Sequence, residues 1–204
     1  MTRPARARTV AAALLGLLLA GCSQMLPGVG EPGGPATPAA SRTSDLAAAR
    51  KAAGIADCPP GSDATPVAGG LPDLALDCLG GGESVRLAGL RGPLLVNLWA
   101  QWCEPCRSEA AYLAAFATTQ KKVAVLGIDY SDPQTGLAIE FARDTGMTYA
   151  HLEDQENTLK GPLGVTGIPY TFLIDAQGKI VARHPGQFIS LENVQAWVDK
   201  GLRG

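Results

Sequence analysis

The chain has 204 residues, 46% hydrophobic and 18% charged, with 17 Lys+Arg against 19 Asp+Glu and a formal net charge of −2. That length suits one ordinary domain with extra segments at its ends, and the composition excludes a wholly disordered chain. Its Lys and Arg residues form no stripe, which excludes nucleic acid as the expected partner.

The chain opens with Arg3, Arg6 and Arg8, followed by the apolar run Val10–Ala20. A bilayer core takes about 20 apolar residues to cross, so this run fits the apolar region of a secretory leader. It ends in Leu19-Ala20-Gly21-Cys22, which resembles the lipobox of bacterial lipoproteins. The resemblance implies cleavage after residue 21 and lipidation of Cys22, which would tether the protein to the outer side of the cell membrane. Residues 22–44 are rich in Gly, Pro, Ala, Ser and Thr and read as a flexible linker. The domain then covers 45–204, including an N-terminal extension.

Asp45–Ala56 is alanine-rich and predicts a short helix capped by Ser44 or Asp45. Residues 71–90 read as a hairpin, Asp73–Asp77 and Ser84–Leu87 flanking Gly80-Gly81-Gly82. Leu94–Trp99 is a nearly continuous apolar run, as in a strand covered on both faces. A helix is expected from Cys103 to Gln120, then a strand over Lys122–Asp129. A second helix over Pro133–Asp144 should stop at Gly146. A short strand, Thr148–Leu152, and a helical turn, Asn157–Leu163, follow. Tyr170–Ile174 and Lys179–Arg183 flank the turn Asp175–Gly178, and Ser190–Leu202 forms a closing helix capped by Ser190. This order argues an α/β fold, with a mixed central sheet and helices on both faces.

The chemistry centres on Trp102-Cys103-Glu104-Pro105-Cys106. A Cys-x-x-Cys that follows a buried strand and opens a helix places its first thiol at the positive end of the helix dipole, where the thiolate is stabilised. Cys103 is therefore the expected nucleophile and Cys106, one turn on, the resolving thiol. Pro105 suits a first helical turn, where a missing N–H costs nothing. A zinc site would require two further ligands, and neither Cys58 and Cys78 nor the isolated His151 and His184 have the spacing for it.

Trp99-Ala-Gln-Trp-Cys-Glu-Pro-Cys-Arg107 resembles the active site of thioredoxin-like proteins, specifically the extracytoplasmic TlpA/ResA-type branch. The N-terminal hairpin, an inserted helix–strand segment over about 131–152, and Gly167-Ile-Pro-Tyr-Thr-Phe-Leu-Ile-Asp175 match it as well. The resemblance implies a thioredoxin-like fold without metal or cofactor. It also implies a cis Ile168–Pro169 bond facing Cys103, with Ile168 backbone pairing to an extended substrate. Trp102 would belong to the same docking surface, while Trp99 and Trp197 would pack in the core and His184 would be a loop residue. The partners implied are exported proteins bearing thiols or disulfides, apocytochrome c cysteines among them, and a membrane electron donor or acceptor.

Thioredoxin carries a buried Asp where this chain has Asn97, which cannot titrate. Glu104 is then the leading candidate to move the proton of the resolving thiol. Water is another, and Glu109, on the same helix face as Cys106, is a third or equally a solvated helix charge. Glu104 also disfavours a Cys103 thiolate, which leans towards a reductase rather than a disulfide-forming oxidase. Cys58 and Cys78 are expected to form a structural disulfide, worth about 3 kcal/mol for a loop of roughly 21 residues, in preference to a second redox pair. A peroxiredoxin-like peroxidase would have Thr where Ala100 stands. A copper-handling lipoprotein would have a Cys pair spaced one residue wider.

Overall fold

The structure, a computed structural model, describes residues 38–203, with side chains from Ser44 onward. The expected leader 1–21, Cys22 and the linker as far as residue 37 lie outside the described residues. Helix α1 spans Pro38–Ala52, starting before the expected Asp45 and running into the segment assigned to the linker. Its alanines are strong helix formers and a proline is tolerated in a first turn, so Ser44 and Asp45 lie inside the helix rather than capping it. The helix ends before the expected Ala56 because Gly54 takes a left-handed conformation, with φ of 70°.

Strands β1 (Ala75–Cys78) and β2 (Val85–Arg86) form the expected hairpin, with Leu76 opposite Val85. Then come β3 (Leu94–Trp99), α2 (Glu104–Thr119), β4 (Ala124–Tyr130), α3 (Thr135–Thr145) and β5 (Ala150–Asp154). A single turn, α4 (Lys160–Leu163), precedes β6 (Tyr170–Ile174), β7 (Ile180–Pro185) and α5 (Leu191–Arg203). Gly146 ends α3 in the left-handed region, as expected, and the Ser190 hydroxyl accepts the N–H of Asn193 to cap α5.

The strands form one mixed sheet in the order β2-β1-β5-β4-β3-β6-β7. β3, β4 and β5 are parallel; β1, β6 and β7 pair antiparallel to their neighbours. The inserted strand β5 thus joins the hairpin to the rest of the sheet. Every residue of β3 is buried, and side chains alternate between the faces. Leu95 and Trp99 meet α2, α3 and α5 on one face, through Leu113, Phe116, Ala138, Phe141, Val194 and Val198. Leu94, Val96 and Leu98 face a second cluster closed by Leu76, Val85, Leu87 and Leu163, from the hairpin and α4. Among the described residues no helix is long and apolar enough to cross a membrane.

Candidate active site

At the carboxyl end of β3, the chain leaves the sheet at Trp99 and enters α2 at Glu104, with Cys103 as the N-cap residue. Its extended backbone, with φ −85° and ψ 108°, turns the sulfur back over the helix start, where Sγ accepts the N–H of Cys106 at 3.2 Å. Sulfur thus takes the place of the capping oxygen that Ser or Asp would supply. The N–H and the helix dipole both favour negative charge on Cys103.

Cys103 and Cys106 are joined in a disulfide with a Cα–Cα distance of 5.2 Å. They are only 4% and 2% exposed, so the pair is reached along a narrow front. The Ile168–Pro169 bond is cis, as the resemblance implied, and the Ile168 carbonyl oxygen lies 3.7 Å from Cys103 Sγ. Trp102 is 53% exposed beside the pair and donates from Nε1 to the Ser131 carbonyl oxygen at 3.2 Å. The loop beneath it is held by Asp132, which accepts the backbone N–H of Gln101. A groove of about 370 Å³ runs from Trp102 past Tyr130 and Lys160 to Gly167 and Ile168.

The structure separates the two glutamates. Glu104 occupies the first helical position, its side chain 86% exposed with Arg107 Nε 3.9 Å away. Glu109 lies one turn beyond Cys106, fully buried against the sheet. Its Oε1 accepts Nδ2–H of Asn97 at 2.8 Å, and its Oε2 accepts the backbone N–H of Phe188 at 2.8 Å. Asn97 is fixed in turn by a 3.0 Å bond to Thr171 Oγ1, directly across the β3–β6 ladder. Burial pushes Glu109 up to about 7, against the two hydrogen bonds, which favour its charged form. The position where thioredoxin itself carries a buried acid thus holds an amide that positions a carboxylate on the facing helix.

A second buried carboxyl group stands near the end of β4. Asp129 pairs in register with Trp99 and Glu153, and neither of its oxygens has a hydrogen-bond partner. Burial, with Asp132 and Glu153 adding repulsion, raises it to about 9, so it is neutral at physiological pH. Sequence alone marks it only as an acid two residues past Gly127, on the same face of the strand.

One of the two histidines differs from its expected placing. His151 is fully buried: Nδ1 accepts from Trp99 Nε1 at 3.2 Å, and Nε2 stands 3.1 Å from the Met147 carbonyl oxygen. Both ring nitrogens are thereby engaged, and burial lowers the ring to about 4. Gly127 makes room for it, since a Cβ there would overlap the ring. His184 is no loop residue. It lies in β7 and stacks on Phe188, with centroids 4.2 Å apart, because the Phe188 backbone is drawn inward to Glu109. Trp99 is in the core as expected, and Trp197 packs half-buried on Phe188. Cys58 and Cys78 form the expected disulfide, tying the segment before the hairpin to β1.

Comparison with known proteins agrees with this geometry. The AhpC/TSA family matches residues 67–183. The thiol:disulfide interchange protein DsbE of Pasteurella multocida is 40% identical over 109 residues, which are 53% of this chain and 56% of that protein. The chain thus spans about half the length of the curated relatives it matches. A secreted thiol-disulfide isomerase from Corynebacterium glutamicum superposes with a TM-score of 0.57 at 26% identity, covering 66% of this chain and 86% of that one. The MTB protein dsbF shares the fold, with a TM-score of 0.57 at 24% identity, covering 64% and 98%.

Proposed function

Because the chain belongs to the AhpC/TSA family, with a thioredoxin-like fold, we propose that it is an extracytoplasmic thiol–disulfide oxidoreductase acting as a reductase of exported proteins. The observation that carries this reading is the capping of α2 by Cys103, whose sulfur accepts the Cys106 N–H opposite the cis Ile168–Pro169 bond. The names of the Pasteurella multocida and Corynebacterium glutamicum proteins support thiol–disulfide chemistry at this pair.

In the reduced protein, the Cys103 thiolate attacks a disulfide sulfur of the partner. A mixed disulfide forms and the partner's other sulfur leaves as thiolate. Cys106 then loses its proton to the Glu109 carboxylate and attacks Cys103 Sγ. That step expels the second partner thiolate and closes the Cys103–Cys106 bond, so two electrons have passed to the partner. Glu109 suits this role because its value of about 7 lies near the operating pH, where a general base works best. The exposed Glu104 acts on the potential instead, its charge opposing a thiolate at Cys103. Trp102, Pro105, Ile168 and Pro169 form the surface on which the partner lies. An upstream membrane dithiol restores the reduced state.

The leader, the lipobox cysteine Cys22 and the linker support a lipid-anchored placement outside the cell membrane. Apocytochrome c cysteines are one substrate class this placement would offer. The reading is tested by a Cys106→Ser variant in the native host. It should accumulate partner proteins disulfide-linked to Cys103; Cys103→Ser should accumulate none. Trapping by Cys103→Ser alone would reverse the two roles, and a reduction potential well above that of the partners would reverse the direction.

A further inference from the structure

The Cys58–Cys78 disulfide has unlike surroundings at its two sulfurs. Cys78 is 2% exposed and Cys58 is half-buried. The Arg50 guanidinium of α1 donates from Nη1 to Cys78 Sγ. It is held there by a 2.9 Å bond to the Gly81 carbonyl oxygen and a 3.1 Å contact with Asp57. Cys58 Sγ instead lies 3.1 Å from the carbonyl oxygen of His151. A depression of about 250 Å³ opens beside the bond, with Asp57, Pro59 and Glu83 on its walls.

These are the partners that a reduced pair would require. A cation beside a sulfur lowers its thiol pKa and makes it a better leaving group in exchange. A carbonyl oxygen suits a neutral S–H donor and opposes a thiolate. We propose that Cys58–Cys78 is a second exchange site, which accepts electrons from an external dithiol by attack at Cys58 with Cys78 as the leaving thiolate.

One thiolate of the dithiol attacks Cys58 Sγ from the open side. A mixed disulfide forms, the Cys58–Cys78 bond breaks, and its electron pair remains on Cys78 against Arg50. The second thiol of the reagent then attacks the mixed disulfide at the reagent's own sulfur and closes the reagent's disulfide. Cys58 leaves and takes up the proton that this thiol gives up, and its S–H donates to the His151 carbonyl. Two electrons leave the dithiol and reduce the pair. The carboxylates of Asp57 and Glu83 face the same depression, so a dithiol free of negative charge is the favoured reagent.

The test uses the full chain with Cys103→Ser and Cys106→Ser, which leaves Cys58–Cys78 as the reducible bond in the domain. The folded protein is exposed to dithiothreitol, or to the monothiol cysteamine, then alkylated and mapped by mass spectrometry. The pair should open without denaturant, and the cysteamine adduct should form on Cys58. Arg50→Met should slow opening about tenfold and Arg50→Lys should preserve the rate. A pair that opens only in denaturant, or an adduct on Cys78, overturns the proposal. The position of the adduct decides with Arg50 in place, so it stands even if Arg50→Met fails to fold.

Discussion

Asn97 on β3 donates to Oε1 of Glu109 on α2 across 2.8 Å, and this bond joins the sheet to the helix that opens with the Cys103–Cys106 pair. Asn97 is an amide that cannot titrate, and its effect is on the carboxylate it touches. By donating, it favours the charged form of Glu109 against burial. Asn97→Ala should therefore raise Glu109 above its value of about 7, by roughly one pH unit for one lost hydrogen bond to the carboxylate. The measurement is the pH dependence of mixed-disulfide collapse by Cys106, whose midpoint should move to higher pH.

Glu109 also leaves a mark on stability. Its folded-state value of about 7 lies above the ordinary 4.5, so folding favours the protonated carboxyl. Stability from this group is complete below about pH 4.5 and is lost as pH rises through 7, on the order of 3 kcal/mol across the window. Glu109→Gln removes this dependence. It also puts an amide where two N–H donors converge, which costs about 1–3 kcal/mol at every pH. Denaturation midpoints between pH 4 and 8 should be lower than the parent's in acid and flatter throughout.

Asp129 makes a sharper case, because no hydrogen bond compensates its burial. Its value is raised from 3.8 to about 9, so stability falls as pH rises across that window. Asp129→Asn cannot ionise and should stabilise the protein by several kcal/mol, on the order of 5, at pH 8, with little effect near pH 4. Thermal melts at the two pH values check it.

The groove beside Cys103 can be filled without disturbing the fold. A Cβ built on Gly167 meets no atom within 4 Å, and its backbone is not in the left-handed region. Gly167→Leu should leave the melting temperature unchanged and leave reaction with a small aromatic disulfide intact. Reduction of a disulfide within a protein should fall, by tenfold or more, because a side chain then occupies the space a partner chain would enter. Rates with the two substrates, measured side by side, separate docking from thiol reactivity.

Much of this architecture could be read from the chain. The spans of β3 and β6 are those expected from their apolar runs, since strands buried on both faces leave little ambiguity. Cys103, Cys106 and the cis Ile168–Pro169 bond were legible because dithiol and loop are local motifs. The helix boundaries at α1 were not, because alanine and proline in a first turn fit helix and linker alike. Spacing alone puts Glu104, between the two cysteines, ahead of Glu109. Their difference comes from helical phase combined with a residue on a distant strand, Asn97, and a backbone N–H near the far end of the chain, at Phe188. His184 failed for the same reason: its stacking on Phe188 follows from the pull of Glu109 on that backbone.

We propose that the buried Glu109, rather than the exposed Glu104, takes the proton of the resolving thiol. The direct measurement is the rate at which Cys106 resolves a preformed Cys103 mixed disulfide, followed from pH 5 to 9 in the parent, Glu104→Gln and Glu109→Gln. The parent and Glu104→Gln should share an inflection near 7, and Glu109→Gln should lose it and resolve at least tenfold more slowly at neutral pH. An inflection that survives in Glu109→Gln and disappears in Glu104→Gln would contradict the account.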